Sequence, residues 1–133
     1  MVTIKSYTDL EQSKKLAEFL PLESADMWFG EPIKGIVKPF IGNYMLEMQC
    51  REDKDYFKLS AKMVSPAWSL ATLLSVLPDS IYDNTDEYSQ LEFSKKSVAY
   101  HDMNDSIKVG AIKENLVDAC YEMILKLKEM NLL

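Results

Sequence analysis

The sequence predicts an α+β fold: a single domain over residues 1–133, with an antiparallel sheet built from a hairpin plus a three-stranded meander and covered mainly on one face by three helices. Three observations carry that reading. The segments near 8–20 and 115–130 place apolar residues on one arc of a helical wheel and charges on the other. Residues 56–63 and three short runs between 89 and 112 alternate with a period of two or are rich in β-forming residues. With 133 residues, the chain is long enough for one domain to bury roughly two thirds of the surface its unfolded form exposes.

The first helix is expected from "TDLE" at 8–11, where Thr8 would cap the backbone and Glu11 would reach back in a capping box. Leu10, Leu16, Ala17, Phe19 and Leu20 share one half of its wheel, and Pro21 ends it. From Leu22 to Gly42 no period is sustained, because prolines and glycines interrupt short apolar groups. "NYMLEMQC" and "DYFKLSAKM" then flank the charged turn "REDK". The second run alternates cleanly, with Phe57, Leu59, Ala61 and Met63 on one face, as in a half-buried hairpin.

"SPAWSLATLLSVLP" at 65–78 predicts a middle helix with Ser65 as N-cap and Pro66 in the first helical position. Its apolar arc is Ala67, Leu70, Ala71, Leu73, Leu74 and Leu77. Opposite lie Ser69, Thr72 and Ser75, flanked by Trp68 and Val76, and the whole stretch carries no charge. A polar loop at 79–88 leads into the meander runs "SQLEFS", "SVAYH" and "SIKVGAI". The last helix starts at Asn115 as cap, with Asp118 in its first turn. Leu116, Val117, Cys120, Met123, Ile124, Leu127 and Met130 form its apolar arc.

Composition narrows the function classes. The net charge of -6, from 21 acidic against 15 basic residues, disfavours the phosphate neutralisation on which nucleic-acid binding rests. Lysines interleave with the acidic residues, so the dense single-sign array of a DNA mimic is missing too. No segment has the length and apolarity to span a bilayer, and the N-terminus turns charged before any signal-like stretch develops. A cytoplasmic protein is expected, with no nucleic-acid or membrane partner and with Cys50 and Cys120 as free thiols, Cys120 in the core.

Catalytic patterns are sparse. His101 is the sole histidine, and adjacent Asp102 would point to the other face of a strand, leaving the ring without an orienting carboxylate. "DMND" at 102–105 begins like a calcium loop, but Ile107 and Lys113 occupy the places of its glycine and bidentate glutamate. Asp79, Asp83, Asp86 and Glu87 form an acidic loop, read as solvated rather than as a cation site. Two distant cysteines and one histidine lack zinc spacing, and no phosphate-cradling glycine motif is present, so neither a metal nor a cofactor is expected. The remaining catalytic option is a carboxylate pair, Glu23 and Asp26, beside Trp28 and Phe29. Burial against aromatics would raise one carboxyl into the range of a general acid, whereas capping of a short helical turn would explain the same residues.

Three blocks, "LPLESADM", "PAWSLATLLSVLP" and "NLVDACYEMILKLKEMNLL", together resemble a family of short uncharacterised proteins of gut Bacteroidales and their phages and mobile elements. The resemblance implies a mobile-element accessory protein and brings no substrate or catalytic residue. The expected function is a non-catalytic protein-interaction module. Its contact surface would be Trp68, Ser69, Thr72, Ser75 and Val76, an uncharged, aromatic-flanked face suited to an interface core. The alternatives are burial of that face inside the fold, a small carboxylate-dependent enzyme, and a self-associating structural protein.

Overall fold

A computed structural model describes residues 5–32, 40–43, 61–82, 88–104 and 106–133. The fold is α+β, with antiparallel sheets and helices packed on them. The expected hairpin beyond Asn43, namely its first run, its charged turn and its second run as far as residue 60 with Phe57 and Leu59, lies outside the described residues, as do Cys50, Asp83, Asp86 and Glu87. Contacts gather into two compact units, Tyr7–Thr72 on the one hand and Met1–Ser6 with Leu73–Leu133 on the other.

In the Tyr7–Thr72 unit, helix α1 (Leu10–Ala17) is capped by Asp9, whose carboxylate accepts from the Gln12 N–H while the Gln12 side chain accepts from the Asp9 N–H. The capping box therefore sits one residue later than expected, because Thr8 is fully buried and used elsewhere. α1 buries Leu16 and Ser13, whereas Ala17 is exposed. A short 3-10 turn (Leu22–Ser24) follows Pro21. Strand β1 (Met27–Pro32), drawn from the aperiodic stretch, is central in a three-stranded antiparallel sheet between β2 (Phe40–Asn43) and β3 (Ala61–Ala67).

β3 corrects the reading of the middle helix. Ser65, Pro66 and Ala67 are strand residues, paired with Phe29, Trp28 and Met27, and the helix, α2, begins only at Leu70 and runs to Val76. Among the described residues β3 is the terminal strand of its sheet. A proline lacking its N–H is tolerated in such a position, so the signal read as a helix start is equally a strand signal.

The other unit contains a four-stranded antiparallel sheet in the order β4 (Ser80–Tyr82), β5 (Tyr88–Phe93), β6 (Ser97–His101), β7 (Ile107–Ile112). The three meander strands stand where the sequence placed them. The fourth, β4, arises from the segment read as a polar loop, with buried Ile81 between exposed Ser80 and Tyr82. Helix α3 (Leu116–Glu129) packs on β6 and β7. Asn115 caps it through the Asp118 N–H, and Asp118 also takes Lys5 Nζ at 2.7 Å. Val117, Ala119, Cys120, Met123, Ile124 and Leu127 are buried, but Met130 is 46% exposed because the helix has ended. Asn131, at φ 58°, adopts the left-handed conformation that lets the Leu132 and Asn131 N–H groups bond back to Leu127 and Lys128.

Strand register divides the residues of this sheet between its two faces. Val98, Tyr100 and Ala111 are buried on the α3 side, and the Tyr100 hydroxyl donates to the Pro78 carbonyl at 2.6 Å. Burial pushes the Tyr100 hydroxyl well above its ordinary range, with Asp79 adding to the effect, and pushes the Cys120 thiol up to about 12. Both groups are therefore held neutral in the fold.

Two expectations follow. Leu73 is completely buried in α2, and Leu73→Ala should destabilise the protein by about 2–5 kcal/mol, measured by denaturant melts, through lost contacts and a residual cavity. The raised Cys120 thiol sets a sign for alkaline behaviour, since its stabilising contribution is complete below the ordinary thiol pKa near 9 and is lost as pH rises toward 12. Stability measured across that window should fall, and Cys120→Ala should make the fall shallower.

Candidate functional site

The expected contact surface is divided by the fold. Trp68 is fully buried, so it cannot anchor a partner from the surface, which corrects that expectation. Its indole Nε1 donates to Ser24 Oγ at 3.0 Å, and its backbone N–H donates to Thr8 Oγ1 at 3.1 Å. The Thr8 N–H donates in turn to the Trp68 carbonyl at 3.0 Å. Thr8 and Ser13 share a buried hydroxyl contact of 2.7 Å. Leu16 and Ala67 are equally buried, so the largest side chain of the region stands in a core whose polar groups are paired.

Ser69 and Thr72 are half-buried and face Asp26. The Asp26 carboxylate accepts from the Ser69 N–H at 2.9 Å, from Ser69 Oγ at 2.6 Å and from Thr72 Oγ1 at 3.1 Å; the Thr72 proton also has the Ser69 carbonyl within 3.0 Å. Asp26 therefore holds the start of α2 from a distant segment, and these three bonds engage the carboxylate that the sequence offered as an acid. Glu23 is exposed on the 3-10 turn. Ser75 is exposed and Val76 half-buried.

His101 does have a carboxylate on its own face, contrary to the expectation. Glu92 from β5 places Oε2 at 2.5 Å from His101 Nε2, because Gln90 is directly opposite His101 and Glu92 is its diagonal neighbour. Asp102, the sequence neighbour, accepts from the Asn104 and Ser106 N–H groups in a turn. Among the described residues, no three metal-ligating side chains come together, and no helix is long and apolar enough to cross a membrane.

A different site emerges on the meander. On the sheet face away from α3, Tyr82 is 61% exposed, Ile107 69% and Ile112 80%. Regular alternation would send Ile107 and Ile112, five residues apart, to opposite faces. A register shift opposite Tyr100 and His101 pairs Ile107 with His101 and Ile112 with Ser97, which returns both to the exposed face. Between them Gly110 has no side chain, and a recess of about 510 Å³ opens along β7. Ile107, Ile112, Ala99 and Gly110 line it from the sheet, and Glu122 and Lys126 from the α3 flank, with Lys113 also contributing. Lys126 Nζ donates to the Gly110 carbonyl at 2.6 Å. The apolar run "SIKVGAI" was visible in the sequence, but the bulge that aligns its two isoleucines was not.

Compared with known proteins, the chain matches no family model, no curated protein and no solved structure.

The paired core around Trp68 generates a graded expectation. Trp68→Ala should cost about 3–5 kcal/mol of stability in denaturant melts, as for a deleted core aromatic. Thr8→Val, nearly isosteric, should cost about 1–3 kcal/mol because the buried Trp68 N–H loses its acceptor. A cost below 1 kcal/mol for both would contradict the core assignment.

Proposed function

We propose that this protein is a non-catalytic protein-interaction module whose contact surface is the exposed sheet face around Ile107 and Ile112, rather than the middle helix. The single observation that carries the reading is the exposure of these two large β-branched side chains, at 69% and 80%, on one face beside a recess. Apolar side chains grouped on an exposed concave face gain free energy when a partner removes them from water. The resemblance of three sequence blocks to short proteins of gut Bacteroidales, their phages and mobile elements supports an accessory role in the cytoplasm, with a host or phage protein as partner. The carboxylate-enzyme alternative is weakened because Asp26 is engaged by the start of α2 and Glu23 stands exposed.

The test is affinity capture of the tagged protein from its native host, with and without phage, read by mass spectrometry beside an Ile107→Asp/Ile112→Asp variant. Both positions are exposed, so the variant should melt within about 1 kcal/mol of the parent while losing a stoichiometric partner. Equal capture by parent and variant would remove this face from the interaction. Recovery of the protein itself as the sole partner would instead establish a self-associating protein.

A further inference from the structure

Resting on the interaction reading, we propose that the β7 recess receives the C-terminal end of a partner protein: an extended tail whose last residue is apolar and whose α-carboxylate pairs with Lys126 and Lys113. Three features of the recess select this occupant.

The first is the strand edge. β7 is the last strand in its sheet among the described residues, and Lys126 reaches the Gly110 carbonyl from the α3 flank, so that carbonyl faces outward. In an antiparallel ladder the N–H and C=O of one residue point to the same side, which directs the Gly110 N–H outward too. An extended peptide finds main-chain groups there; a simple acyl chain would have no use for them.

The second is shape. A Cβ built at Gly110 meets Ile107 Cγ2 at 3.4 Å, Ala99 Cβ at 3.6 Å and the Val98 carbonyl oxygen at 3.6 Å, all ordinary contact distances, so the floor of the recess has room above it. With Ile107 and Ile112 as walls, that space suits one apolar side chain. The volume of about 510 Å³ matches the end of a peptide rather than a folded surface.

The third is charge. An ammonium group carries three donors, and the Gly110 carbonyl takes one from Lys126, leaving two to meet an anion. Lys113 adds a second positive charge, and Glu122, one helical turn before Lys126, opposes it. Two ammonium groups against one carboxylate make the recess locally basic on a chain of net charge -6. An α-carboxylate complements that arrangement, and an internal neutral segment brings nothing to it.

The experiment uses the full chain and pooled short labelled peptides, randomised upstream and ending in Leu, Ile, Val or Phe, each made as free acid and as C-terminal amide. Fluorescence anisotropy should show the acids binding about tenfold or more tighter than the amides, the loss expected for one charge-assisted contact. Lys126→Met should abolish that preference, Glu122→Gln should tighten the acids, and Gly110→Val should block acids and amides alike, with melts confirming folded variants. Should Lys126→Met fail to fold, Lys113→Met and Glu122→Gln carry the charge test. Equal binding of acids and amides, no binding by any peptide, or weaker acid binding by Glu122→Gln would overturn the proposal. A partner captured through Ile107 and Ile112 but held equally by Lys126→Met would also overturn tail recognition while leaving the interaction module intact.

Discussion

The hydrogen-bond exchange between Thr8 and Trp68 fixes where four separate pieces of the Tyr7–Thr72 unit can stand. Thr8 precedes α1, Trp68 joins β3 to α2, Ser24 closes the 3-10 turn and takes the indole N–H, and Asp26 leads into β1 while holding the start of α2. Burying an indole and the backbone around it is favourable only if each polar group finds a partner, since an unmade hydrogen bond inside a protein costs more than a made one contributes. Ser13 extends the set by closing on the Thr8 hydroxyl, so the hydroxyl-bearing residues of this region are structural connectors.

This explains why an uncharged stretch need not be an interface. Within 65–78, Trp68, Leu73 and Leu77 exclude charge because they are buried, and Ser69 and Thr72 spend their hydroxyls on Asp26, whereas Ala71 and Ser75 are exposed and uncharged. Desolvation excludes lysine and glutamate from such places as effectively as a partner protein would. Here the carboxylate that serves the helix start comes from more than forty residues away in sequence.

In the other unit the balance is different. α3 supplies an apolar stripe that covers Val98, Tyr100 and Ala111, leaving the opposite face of the sheet to be built from whatever alternates outward. Most of that face carries polar residues such as Gln90 and Glu92, as expected of a solvated antiparallel sheet. Ile107 and Ile112 depart from the pattern. Lys126 covers one carbonyl of β7, the terminal strand of its sheet among the described residues, a common protection against indiscriminate strand pairing.

The sequence by itself determined the elements whose signals are local. The cap at Asn115, the buried arc of α3 with Cys120 and the three meander strands follow from periods of 3.6 and 2 and from side chains bonding to their own backbone neighbours. It misplaced the start of α2 because Ser-Pro serves a helix cap and a terminal strand equally well, and only pairing with Met27–Phe29 decides between them. Tertiary structure alone decided that Trp68 is core, that Asp26 is a connector, that Glu92 rather than Asp102 meets His101, and that a bulge brings Ile107 and Ile112 to one face. Each of these depends on which distant segment lies alongside, and strand register, unlike helical periodicity, is set by the partner strand as much as by the residues themselves.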